Sequence, residues 1–111
     1  MDEATTRRVL GLLGLGVRAR NAIVGVDRVR DGVKRGEVRV AVVARDASAN
    51  SRQKVEGLLE GRAVPTLFVA SAAELGGIAG REATAVIGVT DRKLAEGILK
   101  AAASGAGDQK T

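Results

Sequence analysis

Residues 38–44 read Val-Arg-Val-Ala-Val-Val-Ala, and residues 45–48 continue Arg-Asp-Ala-Ser. The first run is β-branched, short and bounded by turn-forming residues, which makes it a buried strand and not a helix. The second is a polar loop that hands over to helical spacing across residues 49–60, where Val55, Leu58 and Leu59 share a face. Ser48 or Asn50 serves as N-cap and Gly61 closes the segment. Val64-Pro65 then forces extended backbone, and Thr66–Ala70 forms the next strand. A strand, a helix and a strand in this order are the unit from which α/β sheets are built.

The pattern repeats on both sides. Upstream, residues 4–15 carry Val9, Leu10 and Leu13 as an apolar stripe, and Gly14 and Gly16 are expected to end that helix. Ala22–Val24 is a short strand. Residues 26–35 have helical spacing through Val26, Val29 and Val33, followed by Gly36 as a C′ residue. Downstream, Ser71-Ala72-Ala73-Glu74 is a capping box that opens a short helix ending near Gly80. Thr84–Val89 is a further strand, and Thr90 or Asp91 caps a last helix carrying Leu94, Ile98 and Leu99. The order α-β-α-β-α-β-α-β-α predicts a three-layer α/β/α sandwich with a four-stranded mixed sheet. It occupies residues 1–103 as one domain, with 104–111 expected as a disordered tail.

Composition narrows the function. Among 111 residues there is no cysteine, no histidine, no Trp and no Tyr, and Phe68 is the single aromatic. Thiol–metal sites and disulfides are excluded. The commonest general base and metal ligand is missing, so neither catalytic residues nor a metal or other cofactor is expected. Reading single strands by stacking bases on several rings is also excluded. No apolar run approaches the roughly 20 residues that span a bilayer, and the acidic Met-Asp-Glu-Ala start lacks a signal-peptide core. A cytoplasmic location and no membrane partner follow as expectations.

The net charge is +5, and 13 of the 18 basic residues are arginine. A basic, arginine-biased surface suits a polyanionic partner, because the planar guanidinium fork matches phosphate. Codon bias toward Arg, Ala, Gly and Val is the bland alternative. Position adds weight to the first reading. Arg18 and Arg20 precede the first strand, Arg28 and Arg30 lie at the start of the following helix, Arg45 leaves the second strand, and Arg81 precedes the fourth. In a sandwich, loops at one sheet end converge, so these side chains are expected to form one positive rim.

Other motifs carry less. The glycines of residues 11–16 lie at a helix end, whereas a dinucleotide fingerprint sits between a strand and a helix start. Asp27 and Asp31 have the spacing of a paired carboxylate site, but Arg28, Arg30, Lys34 and Arg35 surround them, and charge pairing on a solvated face is the expectation. Asp46 sits where α/β sheets place ligands, and without a nearby second carboxylate it is as readily a partner for Arg45 or for loop amides.

In order along residues 9–100, the segments LLGLGVRARNAIVG, VKRG, VAVVARDAS and VPTLFVASAAELGGIAGREATAVIGVTD resemble the bacterial YlxQ-type members of the kink-turn-binding ribosomal protein superfamily (the L-seven-Ae and L-thirty-e type). The paired signatures AxDAS and ELGxxxGxE at this separation carry most of the likeness. The resemblance implies the α/β/α sandwich and RNA contact through three loops. These are Gly25-Val26-Asp27-Arg28, Arg45-Asp46-Ala47-Ser48, and Gly80-Arg81-Glu82-Ala83, the last covering a bulged nucleotide. With Arg20 and Arg30 they make up the candidate RNA-binding set. Strong kink-turn binders of the family carry Asn-Glu after the glycine and a Lys three residues later. Here Asp27-Arg28 and Asp31 stand instead, so the charge at the last two is inverted and only a modest kink-turn preference is implied.

The leading expectation is a non-catalytic, monomeric binder of structured RNA, ribosomal RNA being one candidate, with no DNA partner. The competing reading is a protein–protein adaptor that kept the fold and lost kink-turn specificity. A third, the substrate-binding module of an RNA-modifying enzyme, is disfavoured because no catalytic segment accompanies it.

Overall fold

The computed structural model describes residues 2–108, with side chains up to Ser104. The elements are α1 (Glu3–Arg18), β1 (Ala22–Val24), α2 (Val26–Lys34), β2 (Val40–Val43), α3 (Ala49–Gly61), β3 (Thr66–Phe68), α4 (Ala72–Ile78), β4 (Val86–Val89) and α5 (Arg92–Asp108). The sheet order is β1-β4-β2-β3. β4 runs antiparallel to both β1 and β2, while β3 pairs parallel with β2. The result is the expected mixed four-stranded sheet between two helical layers.

Period-two alternation along the strands divides the core in two. On one face Val40, Val42, Ile87 and Val89 pack with Val9 and Leu13 of α1, Leu75 of α4 and Ile98 of α5. On the other, Ala41, Val43 and Val86 meet Val29 and Val33 of α2 and Val55 and Leu59 of α3. Each fully buried Leu, Ile or Val contributes about 1.5–3 kcal/mol through removal from water. With two ion pairs among the described residues, aliphatic burial is the main source of stability. No helix among these residues is long and apolar enough to cross a membrane.

Several element ends move. α1 does not stop at Gly14 or Gly16 but continues to Arg18. These glycines serve packing: a Cβ on Gly16 would lie 2.5 Å from Leu94 Cδ2, so the missing side chain admits α5. The turn is made one step later by Arg20, which adopts φ 62°. Gly61 is likewise the last helical residue of α3, and Ala63 (φ 55°) reverses the chain. β2, β3 and β4 are each shorter than the apolar runs containing them. Ala70, at φ 66°, breaks the extended run after β3. The backbone of α5 is helical to Asp108, into the stretch expected as a tail, and residues 109–111 lie outside the described residues.

The expected caps form. Ser48 accepts from Ser51 N, the Ser71–Glu74 capping box is complete, and Asp91 Oδ2 accepts from Leu94 N at 2.9 Å. At the start of α1, hydrogen bonding from the Thr5 side chain, and next from Thr5 N at 2.7 Å, holds the Asp2 carboxyl below the usual carboxylate range.

Candidate nucleic-acid interface

Because β1, β2 and β3 run the same way, their C-terminal ends share one rim, and antiparallel β4 begins there. Gly25 N donates to Val86 O, and Ala44 N donates to Ala85 O, fastening the loops of that rim to one another. α2, α3 and α4 follow β1, β2 and β3 directly, so their N-termini, with the positive ends of their dipoles, lie at the same rim. Two are closed by side chains. Ser48 caps α3, and α4 is closed by Ser71 and by Asp46, whose Oδ1 accepts from Ala72 N at 2.8 Å. α2 differs: its N-cap is Gly25, at φ 104°, and no side chain caps it. Its first amides are therefore left for an external acceptor.

A groove of about 470 Å³ runs from this open helix end along the free edge of β1. Arg20, Arg28 and Arg81 line it over an apolar floor of Val17, Ala22, Ile23, Val24 and Ala79, with no acidic residue in the lining. None of the three arginines forms an ion pair among the described residues. A Cβ on Gly25 would lie 3.6 Å from Arg81 Nη1, so the guanidinium passes close over the glycine backbone.

The loop carrying Arg81 is fixed by α4. Arg81 N donates to Gly76 O at 2.8 Å, and Thr84 N donates to Ala72 O at 3.0 Å. A Cβ on Gly76 would come within 2.5 Å of Ala83 Cα and 2.8 Å of the Glu82 carbonyl carbon. Backbone cannot yield as a flexible side chain does. Gly76 is thus the residue that lets the Arg81-Glu82-Ala83 loop sit against the helix, which gives the glycines of the ELGxxxGxE signature a physical role.

The expected site residues divide accordingly. Arg20, Gly25, Arg28 and Arg81 come together around the groove. Val26 is half-buried against the core on the α2–α3 face, as a packing residue. Arg30 and Asp27 are exposed on α2 outside the groove lining, and Glu82 and Ala83 are exposed on the loop above Gly76. Arg45 stands at the same rim but two strand spacings from β1, roughly 10 Å away. Its Nε donates to Phe68 O at 3.3 Å. Asp46 does not pair with Arg45; it closes α4. The charge pairing expected for Asp27 and Asp31 does not form, since the ion pairs among the described residues are Arg35–Glu37 and Arg52–Glu56. No cluster able to hold a metal ion occurs among those residues either. Arg20 precedes β1 and so starts at the opposite sheet end. The expected single rim is therefore better described as a track along one sheet edge. The apolar floor from Val17 and Ala79 was not anticipated, because nothing in local spacing brings α1 beside the end of α4.

The Ribosomal protein L7Ae/L30e/S12e/Gadd45 family model matches residues 7–97, nearly the whole folded region. The chain belongs to this family. It is similar to the RNA-binding protein YlxQ of Bacillus subtilis (strain 168), with 35% identity over 88 residues covering 79% of this chain and 88% of that protein. The YlxQ of Enterococcus faecium is 28% identical over 96 residues, covering 86% and 92% of the two chains. These similarities make the chain a YlxQ-type member of the family. Among solved structures, a Bacillus halodurans protein of unknown function superposes with a TM-score of 0.78 at 28% identity, over 84% of this chain and 94% of that one. The Giardia lamblia 15.5kD RNA binding protein gives a TM-score of 0.80 at 20% identity, over 94% of this chain and 89% of its own, a likeness of fold alone.

Proposed function

We propose that this protein is a non-catalytic binder of structured RNA, gripping kinked or bulged segments by their phosphates. The observation that carries the reading is the groove of Arg20, Arg28 and Arg81, free of acidic lining, beside the uncapped N-terminus of α2. Guanidinium forks and open helix amides are both phosphate ligands, and together they suit a sugar-phosphate track more than a flat base. The family and the RNA-binding designation of the similar YlxQ proteins support the same class of partner.

In this reading Arg45 touches the same RNA farther along the rim, and the loop of Arg81, Glu82 and Ala83 covers an extruded nucleotide near Gly25. Arg28 and Asp31 replace the Glu and Lys that read sheared pairs in strong kink-turn binders. Shape and phosphate contacts therefore dominate, and kink-turn RNA is preferred only modestly over plain duplex. The protein works as a cytoplasmic monomer, with ribosomal RNA one candidate target.

The test is binding to a kink-turn RNA and a matched duplex by filter retention. Arg28→Ala, Arg45→Ala and Arg81→Ala should each weaken binding, and Asp31→Lys should raise the kink-turn preference. Unchanged binding in all three alanine variants removes the site.

A further inference from the structure

At the sheet edge opposite β1, we infer a second recognition surface, one that takes an extended basic segment of a partner protein as an added strand on β3. The sheet order leaves β3 with one neighbour, β2. Ala41 N donates to Pro65 O, which sets the parity of the pairing. Pro65 and Leu67 turn their backbone groups to β2, and Thr66 and Phe68 turn theirs outward, where Phe68 O is taken up by Arg45 Nε and the Thr66 groups and the Phe68 N–H face the open edge. Pro65 is thus in the inward-facing parity, and its missing N–H does not block the outer edge, as an edge proline commonly does.

The side chains beside that edge form a groove. Leu59, Val64, Thr66 and Phe68 line it together with Glu56 and Glu60 of α3. Phe68, the only aromatic in the chain, is 43% exposed there, an unusual use for a large apolar side chain in an otherwise aliphatic protein. It is also held in place: the Arg52 guanidinium lies 5.2 Å from the ring centroid and bonds Glu56. A fixed aromatic beside the open Thr66 backbone and Phe68 N–H is the arrangement that strand addition uses, with main-chain bonds for affinity and a pocket for alternate side chains.

Charge selects the occupant. Glu60 has no ion-pair partner among the described residues, and Glu56 is shared with Arg52. In a protein of net charge +5, the unpaired Glu60 carboxylate beside an apolar groove, with Glu56 already held by Arg52, favours a strand that alternates Lys or Arg with Val or Ile. RNA is disfavoured, since its phosphates would face the carboxylates. A second copy paired edge to edge would bring the Glu56–Glu60 pairs of the two chains toward each other.

The test uses synthetic peptides of about six residues, the length of an ordinary strand, one alternating Lys/Arg with Val/Ile and one alternating Glu/Asp with the same apolar residues. A basic protein attracts the acidic peptide non-specifically, so preference for the basic one is diagnostic. Binding followed by amide NMR should show the basic peptide bound, with slowed hydrogen exchange at the Thr66 and Phe68 amides. Phe68→Ser and Glu60→Lys should each weaken it about tenfold. Both positions are exposed, and an unchanged thermal unfolding midpoint of each variant confirms its fold. Preference for the acidic peptide, protection at other amides, no binding of either peptide, or a dimer formed through this edge would each overturn the inference.

Discussion

Both ends of the sheet carry arginine, and they use it in opposite ways. At the end where β1, β2 and β3 finish, α2 begins without a side-chain cap, and Arg28 and Arg81 stand with Arg20 along a groove lacking acids. At the other end α2 and α3 finish, presenting the negative ends of their dipoles. There Arg35 pairs with Glu37 at 3.2 Å, and Arg62 Nη1 lies 3.5 Å from Val33 O in the last turn of α2. Arg35 and Arg62, beside helix C-termini, are engaged within the protein, whereas Arg28 stands beside an open helix N-terminus, and Arg20 and Arg81, which follow the ends of α1 and α4, line the groove with no ion pair among the described residues. Net charge therefore says little about where a polyanion binds; whether an arginine is already engaged by acids and carbonyls of its own chain decides it.

That contrast can be broken in graded ways. Reversing one groove charge, Arg81→Glu, should lower RNA affinity on the order of a hundredfold in filter binding at fixed salt, because it removes a phosphate contact and adds repulsion. A retained affinity would show that the groove is not the track. Gly76→Ala acts through backbone. Its Cβ collides with Ala83, so chemical denaturation should show a loss of about 1–3 kcal/mol, the usual cost of overpacking, and RNA affinity should fall as the Arg81 loop shifts. Gly57→Ala on α3, which meets nothing within 4 Å, should instead stabilise by about 0.5–1 kcal/mol. Asp46→Ala removes an acceptor at the start of α4 and should cost about 1 kcal/mol in the same assay. The smallest effect belongs to the far end, where Arg39→Ala and Arg62→Ala should each leave RNA affinity within about twofold, as expected for charges beyond a Debye length from the bound phosphates.

Much of this architecture is legible in the amino-acid sequence. Alternation in residues 38–44, the Ser71–Glu74 box and the valine spacing of α2 are local signals, and each element formed where they pointed. Glycine was misread where its role is tertiary. Gly14 and Gly16 look like helix stops in sequence, yet α1 runs through them because Leu94 of α5 needs the space over Gly16. The turns after α1, α3 and β3 are instead made by Arg20, Ala63 and Ala70, none a usual left-handed residue, while Gly36 and Gly80 take the positive φ expected of glycine after α2 and α4. The candidate site was half legible. Arginines at element ends could be named, but sequence spacing does not reveal that Arg20 reaches the β1 groove from the other sheet end. Nor does it reveal that Asp46 is taken up by Ala72 N, across a separation of 26 residues.

The most direct test compares the salt dependence of RNA binding in the wild type with two triple variants, Arg20→Ala/Arg28→Ala/Arg81→Ala and Arg35→Ala/Arg39→Ala/Arg62→Ala. Both remove the same charge. Each lost phosphate contact should reduce the slope of log affinity against log salt by about 0.7–0.9, so the groove triple should flatten it by roughly two to three. The far-end triple should keep the wild-type slope. Equal flattening in both would contradict the account, because binding would then follow total charge and not the groove.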